Sequence, residues 1–275
     1  MTAEEMYGAF QTFYHLAGWS EPTRLSPQSL AFGCQVVPTL EALITLDRYW
    51  QTRVHGGHPG KHSSVEKLIE FHNAFMCWTG MRLSLLLALR ETSELSVSAD
   101  IDELRDRWIP THDKNVPGDT GAMPVPLTTW VKLTIQGVRA HCKAMHSRLR
   151  TMGLKDCDLA RWCAAVVGGA SVPLLCLAIA PSAIRPLATS DFIGKDLKHL
   201  VPPDFGRKAM ENLARAYGLR ATEIDAILRH AAPGQTINSV TSDTAPLVRW
   251  LRANQAISAI AISIFTGVGY GLAKE

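Results

Sequence analysis

The chain has 275 residues, 47% of them apolar, and a formal net charge of +3. That length holds one large domain, or one domain with a small appendage, and the apolar share supplies an ordinary buried core. A charge this small excludes a uniformly basic polymer-binding protein, so any contact with nucleic acid must come from local clustering.

Cys34, Cys77, Cys142, Cys157, Cys163 and Cys176 show no C-x-x-C spacing. The start, Met1-Thr2-Ala3-Glu4-Glu5, is acidic and polar and does not read as a signal peptide. Reduced, mostly buried thiols in a cytoplasmic protein are therefore expected.

Over the first 60 or so residues the pattern gives short helices and loops, with Leu40 to Trp50 helix-like. His55-Gly56-Gly57-His58-Pro59-Gly60-Lys61-His62 reads as a loop. Its three histidines suggest a metal. Glycine and proline do not hold ligands rigidly, however, and no acidic or cysteine partner lies nearby, so a solvated loop and no metal are expected.

A helix is predicted from Ser63, where Ser63-x-x-Glu66 forms a capping box. Val65, Leu68, Ile69, His72, Phe75 and Met76 fall on one helical face. The pattern ends this helix at Thr79-Gly80 and starts another near Arg82, carrying Leu83, Leu86, Leu87 and Arg90. Arg82 would then project from a helix start, where backbone N–H groups also favour an anion.

Ile101 to Leu127 lacks helical period and is rich in proline and glycine. It reads as strands and turns, with Trp108-Ile109-Pro110 and Met123-Pro124-Val125 as short strand pieces. Lys114 then lies in or beside a hairpin.

Trp130 to Leu149 carries the clearest helical signal. Val131, Ile135, Val138, Cys142, Met145 and Leu149 make an apolar stripe, and Arg139, Lys143, His146 and Arg150 make a second one beside it. Between Thr120 and Lys155 there is no acidic residue, while Lys132, Arg139, Lys143, Arg148, Arg150 and Lys155 are basic. Arg139, Lys143, His146 and Arg150 are the candidates for a phosphate-facing surface.

Trp162 to Ile184 is uncharged and long enough to span a membrane, but Gly168-Gly169, Pro173 and Pro181 interrupt it. Two buried elements split near Pro173 are expected instead. Arg207 to Tyr217 and Ala221 to Leu228 read as helices separated by Gly218. The Ala- and Gly-rich run from Ala256 to Leu272 reads as a buried C-terminal helix, so no membrane span is expected.

Short pieces distributed along the chain add a further signal. They are Thr79-Gly80-Met81-Arg82, Asp113-Lys114-Asn115, Val125-Pro126-Leu127, Gly206-Arg207 and Leu228-Arg229-His230-Ala231. In this order and at these distances they resemble the catalytic domain of the tyrosine recombinases, or phage-type integrases. The resemblance runs over residues 63–242. It implies a mainly α fold with a small antiparallel β-sheet, a catalytic-like domain over 63–250, an N-terminal extension over 1–62, and an apolar helix over 251–275 that docks into a neighbouring subunit.

By that resemblance Arg82 and Arg207 are the two arginines on the phosphate, Lys114 is the hairpin lysine and His230 is the later histidine. Strand transfer passes through a five-coordinate phosphorus with extra negative charge, which two arginine forks neutralise. A lysine protonates the leaving 5′ oxygen, a histidine moves a proton or holds the phosphate, and a tyrosine is the nucleophile, with no metal or other cofactor. The sequence departs from the pattern in three places. Leu85 replaces a supporting glutamate, Asp204 replaces a histidine, and no tyrosine occupies Ser239 to Thr241, where the nucleophile belongs.

The resemblance therefore implies a protein that binds double-stranded DNA and is catalytically degenerate. It would act as an accessory or regulatory subunit in recombination or integration, in the cytoplasm or on a bacterial nucleoid. It would associate with itself or with another recombinase through the C-terminal helix. One alternative is an active recombinase using a displaced nucleophile, Tyr270, Ser239 or Thr241. Another is a helical interaction protein with no DNA role, for which the low net charge speaks.

Overall fold

The computed structural model describes residues 39–89, 97–102, 104–105, 107–108, 125–197, 205–228 and 247–266. Among them the protein is mainly helical, with two small two-stranded antiparallel sheets. The elements in chain order are α1 (Leu40–Val54), a 3-10 turn (Pro59–Lys61), α2 (Val65–Leu86), β1 (Arg107–Trp108), β2 (Val125–Pro126), α3 (Thr129–Thr151) and α4 (Asp158–Val167). They continue with β3 (Cys176–Ala180), β4 (Ala183–Pro186), α5 (Thr189–Leu197), α6 (Phe205–Ala216), α7 (Ala221–Leu228) and α8 (Leu247–Thr266).

Helix α2 is the centre of the packing and touches α1, α3, α5, α6 and β3. Leu68, Met76, Met81, Leu83 and Leu85 are all fully buried, and the polar His72, Thr79 and Ser84 are buried among them. A helix buried on most of its circumference belongs inside a bundle. Its N-cap is Ser64, whose Oγ accepts the Lys67 N–H at 3.3 Å, one residue later than the capping box predicts.

The predicted break at Thr79-Gly80 does not occur, and α2 runs through to Leu86. The buried Thr79 hydroxyl is satisfied within the helix, donating to the Phe75 carbonyl at 2.8 Å. Gly80 serves packing rather than termination, because a Cβ there would meet Leu187 Cδ2 at 2.2 Å. Arg82 consequently projects from the last turns of a long helix and not from a helix start.

In α3 the predicted apolar stripe is the buried face, with Val131, Ile135, Val138, Cys142, Met145 and Leu149 all at 0% exposure. Thr128 caps this helix by accepting the Val131 N–H at 3.3 Å. The uncharged run after Trp162 divides as expected into α4 and the β3–β4 hairpin, and the Trp162 indole donates to the Pro173 carbonyl at 2.9 Å. The hairpin pairs Leu177 with Arg185 and Ala178 with Ile184.

The side chains of α2 seal β3 along its backbone. Asn73 donates to the Ala178 carbonyl at 2.8 Å and accepts the Ala178 N–H at 2.9 Å, and His72 Nε2 lies 3.1 Å from the Cys176 carbonyl. β1 and β2 pair antiparallel, Trp108 with Val125 and Arg107 with Pro126, so the two ends of the predicted hairpin meet. Gly218 separates α6 from α7 with φ +87°, and the Leu219 N–H reaches back to the Ala214 carbonyl at 3.0 Å. This is a glycine C-cap that only a residue without Cβ enters at little cost.

Helix α8 buries Ala253, Ala256, Ile257, Ile260, Ala261 and Ile264. It lies against α1, α3, α6 and α7 of its own chain. The buried residues of this helix are thus covered by its own chain. Helix α1 packs on α2 and α8. Packing among the described residues thus runs across the expected boundaries after residues 62 and 250. Among the described residues no helix is long and apolar enough to cross a membrane.

Candidate functional site

The expected site is organised around Arg82. Its Nε donates to Asp47 Oδ1 at 2.8 Å and its Nη2 to Asp47 Oδ2 at 3.0 Å. The Trp78 indole N–H also reaches Asp47 Oδ1, at 2.9 Å. Three donors thus satisfy one carboxylate that is 1% exposed, while the Arg82 side chain keeps 14% exposure. The guanidinium carbon lies 4.1 Å from the Trp78 ring centroid and 4.2 Å from that of Phe265. Bidentate pairing fixes the plane of the guanidinium, and the two rings add cation–π contacts.

Asp47 is the functional candidate that the sequence did not reveal. It is buried on α1, far from the motif in sequence, and no local pattern there distinguishes it from an ordinary helix-surface acid. The signal available was that the resemblance implies a carboxylate where Leu85 stands, and a mostly buried arginine needs such a partner. Leu85 itself is fully buried in the hydrophobic core and faces no site.

Arg207 lies on α6 and is 8% exposed. Helices α2 and α6 touch where a Cβ on Gly206 would stand 2.3 Å from the Ser84 carbonyl oxygen. Arg82 is two residues before that crossing on one helix and Arg207 one residue after it on the other. The two arginines therefore sit on adjoining helix segments. Lys114, Asp204, His230, Ser239, Thr241 and Tyr270 lie outside the described residues.

The basic stripe of α3 divides in two. Arg139 is half-buried, and its Nη2 donates to the carbonyls of Ala99 at 3.1 Å and Ile101 at 2.8 Å. Arg148 likewise holds the His62 carbonyl through Nε at 3.1 Å and Nη2 at 2.6 Å. Both fasten loops onto the helix. Lys143 and Arg150 are exposed, and His146 is half-buried.

Two further polar arrangements are present, one buried in the bundle and one at its surface. His72 Nδ1 and His141 Nε2 are 3.0 Å apart, and the Phe75 ring stacks on His141 at 4.0 Å. A carbonyl only accepts, so the contact with Cys176 puts a proton on His72 Nε2. His72 Nδ1 is then the acceptor, and His141 donates from Nε2. Burial pushes the His72 pKa down to about 4 and that of His141 well below its ordinary value, with the neighbouring His72 adding to the shift in His141. Elsewhere, Glu223 accepts the Arg220 N–H at 2.7 Å and pairs with Arg252 at 3.1 Å, tying α7 to α8.

In the His55 to His62 stretch, His58 Nδ1 accepts the Gly60 N–H at 3.1 Å and the His62 ring packs on Phe71. Among the described residues no group of three or more His, Cys, Asp or Glu side chains is placed to hold a metal ion. Compared with protein-family models, with curated proteins and with solved structures, the chain matches none.

Proposed function

We propose that the protein binds double-stranded DNA through a recombinase-like phosphate-gripping face and does not cleave it, acting as an accessory or regulatory subunit in recombination or integration. The observation that supports this reading best is the α2–α6 crossing at Ser84 and Gly206, which sets Arg82 and Arg207 on adjoining helix segments. Two arginine forks meet the charge of a single phosphate from two sides, and these two lie near one helix crossing. The antiparallel β1–β2 pairing adds support, since Lys114 falls in the connection between those strands. Ser239 to Thr241, in place of a tyrosine, supports loss of the cleavage step.

The test is duplex binding across a salt series, with Arg82→Ala and Arg207→Ala beside the parent protein. Affinity falling steeply with salt, and weakened by each variant, supports the reading. Duplex binding that neither variant alters, or no binding at low salt, overturns it. Incubation with nicked suicide substrates separates the degenerate from the active reading. A covalent adduct that disappears in Tyr270→Phe would establish cleavage.

A second reading, a helical interaction protein without DNA, draws on one specific observation. Arg139 and Arg148 spend their guanidinium groups on carbonyls of their own chain. Failure to bind any duplex at low salt favours this reading.

A further inference from the structure

The exposure of the Asp47–Arg82 pair is lopsided, and the asymmetry carries an inference that rests on the DNA-binding reading. A guanidinium has two edges able to grip an oxyanion, Nε with one terminal nitrogen and the two terminal nitrogens together. Asp47 takes the first edge, at 2.8 and 3.0 Å. The Trp78 and Phe265 rings, 4.1 and 4.2 Å from the guanidinium carbon, stand against the group as well. Asp47 is 1% exposed whereas Arg82 keeps 14%, so what remains open belongs to the arginine.

We propose that Asp47 is a positioning residue: it holds Arg82 so that the Nη1–Nη2 edge is presented to a phosphate of the bound duplex. The carboxylate arrives from α1 and does the work that a partner on α2 itself cannot do, since Leu85 is packed in the core. The Trp78 indole N–H at 2.9 Å fixes the carboxylate in turn, giving a chain of contacts from indole to carboxylate to guanidinium. The guanidinium cannot turn its second edge away without breaking both hydrogen bonds to Asp47. An arginine so held loses less side-chain freedom on binding.

The test is a double-mutant cycle on the full chain, using a labelled random-sequence duplex and a salt series. Asp47→Asn and Arg82→Ala are each expected to weaken binding about tenfold and to lower the salt slope by about one. The double variant is expected to bind no more weakly than either single one. Trp78→Phe keeps the ring and removes the indole N–H, so it is expected to fold and to weaken binding a few-fold even if Asp47→Asn does not fold. Asp47→Glu is expected to recover part of what Asp47→Asn loses.

The proposal is overturned if Asp47→Asn and Trp78→Phe lower the thermal midpoint while the folded protein binds duplex with unchanged affinity and slope. It is also overturned if the losses from Asp47→Asn and Arg82→Ala simply add. If Arg82→Ala weakens binding and the Asp47 and Trp78 variants do not, the DNA-binding reading stands without this role for Asp47. If the parent protein binds no duplex at low salt, the reading itself fails and this proposal goes with it.

Discussion

Gly206 faces the Ser84 carbonyl so closely that a Cβ on it would lie 2.3 Å from that oxygen. The obstacle is backbone in the last turn of α2, which cannot swing aside. Gly206→Ala is therefore expected to destabilise the protein by about 2–3 kcal/mol, despite the better helix propensity of alanine. Gly80→Ala meets the far end of the Leu187 side chain instead, at 2.2 Å, and is expected to cost less because a side chain can change rotamer. Urea denaturation of the two variants side by side checks the order.

Ala88 ends α2 with φ +47°, and the Leu89 N–H reaches back to the Ser84 carbonyl at 2.9 Å. This is the same C-cap that Gly218 makes after α6, here built with a side chain in the left-handed region. Ala88→Gly relieves that strain but removes a methyl buried in the core, so the two effects are expected to offset to within about 0.5 kcal/mol. A nearly unchanged urea midpoint is the expected signature.

The buried histidine pair predicts acid sensitivity. Burial pushes the His72 pKa down from 6.5 to about 4, so between those values the unfolded chain binds a proton that the folded one excludes. Stability is then fully present above about pH 6.5 and falls as pH drops from 6.5 towards 4. The loss from His72 alone is on the order of 3 kcal/mol. Protonated His72 would also carry a hydrogen on Nδ1, which faces a donor on His141. Urea titrations between pH 7.5 and 4 check the trend. Imidazole nitrogen shifts should report both rings neutral at pH 5.5.

The division of the α3 stripe predicts two classes of variant. Arg139 anchors the Ala99 and Ile101 carbonyls, so Arg139→Ala is expected to cost about 1–2 kcal/mol of stability and leave the salt slope of DNA binding unchanged. Lys143 and Arg150 are exposed, so Lys143→Ala with Arg150→Ala is expected to change stability by less than about 0.5 kcal/mol. On the DNA-binding reading, the pair lowers the salt slope by about two. Thermal melts and anisotropy titrations on the same preparations separate the classes.

Much of the local architecture was legible in the residues. The stripe from Val131 to Leu149 named the buried face of α3, and Gly218 named the joint between α6 and α7. Proline and glycine punctuation located the β1–β2 pairing and the split of the uncharged run. Thr79-Gly80 misled because a glycine that ends a helix and a glycine that admits a neighbour look alike in one dimension. Leu187, which decides between them, lies more than a hundred residues away.

The site was less legible for the same reason. Arg82 could be singled out from its motif, but its partner Asp47 sits on another helix with no local pattern to mark it. Arg139 and Lys143 share a helical stripe in sequence, and only the loop carbonyls beside Arg139 set them apart. Burial of α8 against its own chain was also invisible, since an apolar stripe states that it will be covered and not by what.

The Arg82 stack has an order of assembly in time. Asp47, Trp78 and Arg82 come from α1 and α2, whereas Phe265 comes from α8, after every other described element. A chain emerging from the ribosome holds the carboxylate and the arginine long before the second ring arrives. The set is complete only when synthesis has passed residue 265, so an interrupted chain has Asp47, Trp78 and Arg82 without the second ring.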